Sequence, residues 1–168
     1  MPVATRDAGV DALFRDHYAG LLRLAYCLLG DRARAEDVVQ DAFISIYSHW
    51  DGLREAGSAL AYLRSAVIYR SRSRLRERFR ELTRGDLVSV LGEQRSSEDE
   101  VLDADRNERL ANAVRELPRR QREVLVCRYY LELSVAETAQ LLDITDGSVK
   151  RHAHRGIEQL SVRMGGAP

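Results

Sequence analysis

Several things are scarce in this sequence, and each scarcity closes off a class of protein. There are two cysteines, Cys27 and Cys127, one in each half of the chain. Lone cysteines so far apart suggest neither a disulfide framework nor a metal site, and a reducing compartment fits. Of three prolines, only Pro118 lies away from the chain ends. Val, Ile and Thr together number 23, too few for a sandwich or barrel built from many strands. The longest apolar run is the six residues Leu24–Leu29, whereas a membrane-spanning helix takes about 20, so no membrane insertion is expected. Met1–Val10 has neither the basic start nor the apolar core of a secretory leader. A cytoplasmic location is the expectation. His17, His49, His152 and His154 share no metal-ligand spacing with the cysteines. Neither a phosphate-cradling glycine loop nor a nucleophile elbow is found. The expectation is therefore no enzyme, no metal and no cofactor.

What fills the chain is helix-forming. Leu (22), Arg (25) and Ala (19) dominate the 168 residues, and 45% of them are hydrophobic, enough for packed cores. Leu13, Phe14, His17, Tyr18, Leu21, Leu22, Leu24, Ala25, Leu28 and Leu29 recur at three- and four-residue steps, which predicts a helix with one buried face. Gly30 stops it and Asp31 can cap the next. That second helix carries Val38, Val39, Ala42, Phe43, Ile46 and Tyr47 on its apolar side, with Asp37, Gln40, Asp41 and Ser45 elsewhere. A turn through Trp50, Asp51, Gly52 and Gly57 leads to Ser58, a candidate cap for a third helix bearing Leu60, Leu63, Val67, Leu75 and Phe79. The three stripes need one another for burial and predict a small bundle. From Thr83 the pattern breaks. Leu87, Val88, Val90 and Leu91 sit between Gly85 and Gly92, and the polar run Gln94–Glu100 follows, which reads as a linker. Helices resume with Leu110, Ala113, Val114 and Leu117. Pro118 ends that segment and starts the next, with Val124, Leu125, Arg128 and Tyr129. The expected architecture is all-α: a helical bundle at 8–82, an acidic flexible linker at 83–105 and a second bundle at 106–164.

Net charge is zero, but its distribution is uneven. Residues 1–60 carry 6 basic and 9 acidic side chains, 61–84 carry 8 and 2, 85–108 carry 2 and 8, and 109–168 carry 10 and 7. Patches of both signs imply one surface for a polyanion and others for different partners. In the basic block Arg70, Arg74 and Arg78 are spaced by four, as are Arg72, Arg76 and Arg80. Only Glu77 and Glu81 are nearby to pair with them along the helix, and like charges at this spacing repel. A phosphate backbone would supply the missing counter-charge. Tyr62 and Tyr69 could stack on unpaired bases. Trp50, on the preceding turn, reads equally as a core anchor or a base contact.

A second signal lies at 134–160. Ser134-Val135-Ala136-Glu137 has the spacing of a capping box. A short helix with Val135, Ala136, Ala139 and Leu142 is followed by the tight connection Asp143-Ile144-Thr145. The next helix buries Val149, Ala153, Ile157 and Leu160 and turns Lys150, Arg151, His154 and Arg155 away from that stripe. This describes a helix-turn-helix. Gly147 and Ser148 keep its N-terminus open to a phosphate, and Lys and Arg match the acceptors of guanine in the major groove.

Three stretches in this order resemble the extracytoplasmic-function (ECF) group of bacterial sigma-70 factors, in particular an actinobacterial-type subgroup. They are Ala35-Glu36-Asp37-Val38-Val39-Gln40-Asp41-Ala42-Phe43, then Ala61-Tyr62-Leu63-Arg64 through Ser73-Arg74-Leu75-Arg76. The third runs from Leu117-Pro118 through Arg122-Glu123-Val124-Leu125 and Ser134–Ala139 to Gly147-Ser148-Val149-Lys150. The resemblance covers roughly residues 11–163. It implies a region 2 domain at 8–82 and a region 4 domain at 106–164, joined by the acidic linker. It further implies that Asp37, Gln40, Asp41, Phe43, Ile44 and Tyr47 dock the β′ clamp helices of core RNA polymerase. The turn from Trp50 to Ala59 would hold a flipped minus-10 base. Tyr62, Arg64, Tyr69, Arg70, Arg72, Ser73 and Arg76 would grip the opened strand. Ser148, Lys150, Arg151, His154 and Arg155 would read the minus-35 element, and the C-terminal module would meet the β flap. An anti-sigma factor is a further partner the resemblance allows. The chain departs from the family pattern at Tyr69, where Asn is common, and at Arg151-His152, where Ser-Arg is common. The alternative from the residues alone is a stand-alone helix-turn-helix regulator that binds duplex DNA as a dimer.

Overall fold

The computed structural model describes residues 6–53, 56–83 and 103–165. Among them all regular structure is helical. The elements are α1 (Arg6–Leu29), α2 (Arg32–His49), a 3₁₀ turn (Trp50–Gly52), α3 (Ala56–Thr83), α4 (Asp103–Arg115), α5 (Arg119–Leu125), a π-helical turn (Val126–Tyr130), α6 (Val135–Leu142) and α7 (Asp146–Arg163). The chain divides into two compact units, Met1–Gln94 and Arg95–Pro168. Leu87, Val88, Val90, Leu91 and the polar run at 94–100 lie outside the described residues, as does the Phe79 side chain. Helix occupies both ends of the expected linker, with α3 reaching Thr83 and α4 starting at Asp103.

In the first unit the connection between α1 and α2 follows from two residues. Gly30 takes φ +70°, a conformation that costs glycine little. Asp31 then accepts a hydrogen bond from the Arg34 N–H at 3.0 Å, capping α2. The three helices pack Leu21, Leu24 and Leu28 against Val38, Val39 and Ile46 and against Leu63, Val67 and Ile68, all essentially inaccessible. Each such side chain contributes about 1.5–3 kcal/mol on burial. Phe14 and Tyr47, expected on buried faces, lie at the bundle edge and are 46% and 43% exposed. The third helix starts at Ala56, two residues before the Ser58 that the sequence offered as its cap.

The second unit is built around α5 and α7. Gly156, absent from the expected core, is the buried position that brings these helices together. A Cβ there would stand 2.8 Å from Leu125 Cδ1, closer than side-chain atoms approach. Ile157, expected in the stripe, is correspondingly 45% exposed. The chain after α5 also departs from a plain helix. It widens into the π-helical turn, burying Val126 and Cys127 and leaving Tyr129 59% exposed. Leu110 is likewise exposed. Glu123, 2% exposed, accepts the Arg120 guanidinium at 3.2 Å and lies 3.8 Å from that of Arg119. Arg120 also donates to the Leu142 carbonyl at 3.4 Å, tying α5 to the end of α6. The Glu123 pairs lie within α5 and hold Arg120 in place, and the Leu142 contact is the one that reaches α6.

Candidate nucleic-acid and polymerase interfaces

The helix-turn-helix is set by local hydrogen bonds. Ser134 Oγ accepts from the Glu137 N–H at 3.1 Å, and Glu137 Oε2 accepts from the Ser134 N–H at 2.7 Å. The Ser134 side chain first, and then the Ser134 N–H, favour the ionised carboxylate and hold Glu137 below its ordinary pKa. Asp143 closes α6 in the left-handed region at φ 52°, ψ 55°, and the Ile144 N–H reaches back to the Ala139 carbonyl at 3.0 Å. Thr145 Oγ1 then accepts from the Ser148 N–H at 3.2 Å and caps α7, while its hydroxyl donates to Ser148 Oγ at 3.0 Å. Ser148 is thus part of the cap that aims the helix.

At about 100° per residue, Gly147, Lys150, Arg151, His154 and Glu158 fall within roughly one 100° arc of α7, with Arg155 on its flank. All are exposed. Glu158 is the member the sequence reading missed. Its carboxylate lies 3.4 Å from His154 Nε2, an i,i+4 spacing that was available to read. His152 takes the opposite side. It is half-buried, with Nδ1 enclosed and unpartnered among the described residues. Burial first, then the charges of Arg151, Arg120 and Arg155, depress its pKa against the opposing pull of Glu123. It is a neutral edge-of-core residue, and Arg151 carries the cation outward.

On α3 the same wheel separates the arginines into two rows. Tyr69, Arg72, Ser73 and Arg76 lie together on the side facing away from the core. Tyr69 is 50% exposed, with the Arg72 guanidinium 5.9 Å from its ring centroid. Arg70, Arg74 and Arg78 form the other row, toward α2, where Arg74 lies 3.7 Å from Asp41 and 3.7 Å from Glu77. Arg64 stands about 140° from Tyr69 around the helix, so it does not share that face. Among the described residues Arg64, Arg70, Arg76 and Arg78 have no ion-pair partner. These four cations are therefore not neutralised by a described carboxylate. Tyr62 is half-buried. Its hydroxyl lies 2.6 Å from Ser45 Oγ and its ring 5.8 Å from that of His49, so it joins α3 to α2. Trp50 is also half-buried, its indole lying on Gly9 of α1.

The outer face of α2 presents Asp37, Gln40 and Ile44, the last 67% exposed, with Asp41 at one edge and Tyr47 at the other. Phe43 is a correction. It is 7% exposed and packs on Phe14 (5.1 Å) and Tyr18 (6.4 Å), because its position turns toward α1. It supports the face from beneath.

These two units match two known family patterns. Sigma-70 region 2 matches residues 13–81 and sigma-70 region 4 matches residues 107–160. The ECF RNA polymerase sigma factor SigL of Mycobacterium tuberculosis is 34% identical over 166 residues, covering 96% of this chain and 92% of that protein. The chain belongs to the ECF group of sigma-70 factors. The RNA polymerase sigma-E factor of Streptomyces avermitilis is 32% identical over 146 residues, covering 87% of this chain and 79% of its own length. The fold is also that of the sigma factor RpoE solved with the anti-sigma factor NepR from Bartonella quintana. The TM-score is 0.74 at 24% identity, covering 92% of this chain and 95% of that one. This sigma factor is thus a promoter-directing subunit that binds core RNA polymerase, and the stand-alone dimeric regulator is not favoured. No helix among the described residues is long and apolar enough to cross a membrane.

Proposed function

We propose that this sigma factor divides promoter recognition between its two cationic faces. The α7 face, with Lys150, Arg151, His154 and Arg155 and the Ser148 cap at its head, enters the major groove of the minus-35 element. The α3 face, with Tyr69, Arg72, Ser73 and Arg76, holds the opened minus-10 strand by stacking and phosphate contact. Arg70 flanks it from the α2 side. Arg64 and Tyr62 act from within the bundle. Asp37, Gln40, Asp41, Ile44 and Tyr47 dock the β′ clamp helices, and the second unit meets the β flap. The observation that carries this reading is a pair of exposed cationic arcs, one on each unit, in which Arg76 on α3 and Lys150, Arg151 and Arg155 on α7 have no ion-pair partner among the described residues. The protein works in the cytoplasm and without catalysis of its own, and an anti-sigma factor would compete for the same surfaces.

The test is run-off transcription with purified core enzyme on promoters from the source genome. Specific transcripts that depend on the added protein are expected. Failure to open any promoter would remove the reading.

A further inference from the structure

The first turn of α1 closes over the turn that leaves α2. Arg6 lies 3.3 Å from the Asp51 carboxylate and 5.2 Å from the centroid of the Tyr47 ring. The Tyr47 hydroxyl donates to Asp7 Oδ1 at 2.8 Å, an interaction that holds its pKa above the ordinary phenol value. Between these polar ties the Trp50 indole lies directly on the backbone at Gly9. A Cβ at position 9 would overlap its Cζ2 and Cη2 atoms and stand 3.1 Å from Cε2. Four contacts from Arg6, Asp7 and Gly9 thus converge from one helical turn onto Tyr47, Trp50 and Asp51. None is needed to bury the bundle core, which lies further along α1 from Leu13 onward. Exposed ion pairs are individually weak. A glycine that admits an indole onto the backbone is a steric requirement and is not weak in the same way.

From this convergence we infer that the first turn of α1, through Arg6, Asp7 and Gly9, is a positioning element for minus-10 recognition. It seats Trp50 and fixes the start of the α2–α3 turn before an unstacked base arrives. Ordering that turn in advance lowers the cost of capturing the base, because its conformational freedom is not lost at the moment of binding. The inference rests on the assignment of this turn to the minus-10 element. Gly9 and Arg6 act through Trp50 and Asp51 and do not themselves touch DNA.

Trp50 is the single tryptophan of the chain, so its fluorescence reports its seat directly. The experiment compares wild type, Gly9→Ala and Arg6→Ala as full-length proteins assembled with core polymerase. The free proteins are measured by tryptophan emission and acrylamide quenching. The holoenzymes are measured by binding of a single-stranded minus-10 oligonucleotide and by co-purification of core. Gly9→Ala is expected to shift emission to the red, raise quenching and weaken the oligonucleotide by roughly tenfold, the scale of one lost stacking contact. Recovery of core should be unchanged. Arg6→Ala should act in the same direction and more weakly, and it keeps the test usable if Gly9→Ala does not fold. Unchanged emission in both variants would overturn the seat. Altered emission with unchanged oligonucleotide binding would overturn the positioning role. A wild-type holoenzyme that binds no minus-10 strand would instead overturn the assignment of the turn, a failure the fluorescence arm distinguishes.

Discussion

The two basic helices of this sigma factor are organised differently. On α7 the cations occupy one exposed arc, and the residues that aim the helix are local: Thr145 and Ser148 at its cap, Asp143 in the preceding turn. On α3 the arginines form two rows, one beside Tyr69 on the side away from the core and one turned to α2, where Arg74 meets Asp41. Duplex DNA offers a groove of fixed shape, which a rigid helix with an arc of donors can enter. A melted strand has no such shape, and a longer face of Arg and Tyr can follow it. The lesson is that net positive charge does not define either surface. What defines each is which cations one face of the helix gathers on its exposed side.

The difference can be broken most strongly at α7. Lys150→Ala combined with Arg155→Ala should weaken minus-35 binding by about 2–4 kcal/mol, as two lost groove or phosphate contacts. Electrophoretic mobility shifts of holoenzyme would measure it, with core co-purification unchanged. Next comes the support of that helix. Gly156→Val should destabilise the second unit by about 2 kcal/mol, because the new methyl groups meet Leu125. Hydrogen exchange across α7 would report faster opening there, with α1–α3 unaffected. On α3, Arg76→Ala should lower the salt slope for minus-10 single-strand binding by about 0.7, one phosphate's worth. It should leave the minus-35 slope alone, as fluorescence anisotropy at several salt concentrations would show. The smallest effect concerns pH. Glu137 has a folded pKa below the usual 4.5, so its contribution is complete above that value. It is lost as pH falls through the depressed folded value. Glu137→Gln should flatten this acid-side loss of α6 protection. Ser134→Ala should remove about 1 kcal/mol of cap stability and, because the Ser134 side chain is the largest cause of the Glu137 depression, should also reduce the acid-side loss. Circular dichroism melts below and above pH 4.5 would separate the two.

The capping box was readable in the residues because its partners are three positions apart, and a helix start puts that spacing in contact whatever surrounds it. The exposed cationic arc of α7 was readable for the same reason, since periodicity alone separates Lys150, Arg151 and His154 from Val149. Phe43 carried two readings: periodicity put it on the apolar side of α2, where it is 7% exposed, whereas the resemblance implied a docking role that this burial does not favour. Gly156 went unnoticed because a glycine inside a helical pattern has no side chain to signal its role. Its importance appears only when Leu125 is placed opposite. The turn at Val126–Tyr130 was also invisible, since an added backbone residue within a helix leaves the local composition unchanged.

Residue order alone was enough to indicate the helical character of the described residues, the arginine spacing on α3 and the caps at Asp31, Ser134 and Thr145. These depend on interactions within four or five residues, which every folded arrangement of the chain must satisfy. Packing had to decide which arginine row faces Asp41, and that Gly9 receives Trp50, 41 residues further along the chain. Such contacts join segments whose approach is governed by the shape of the whole core, and no local periodicity encodes that shape.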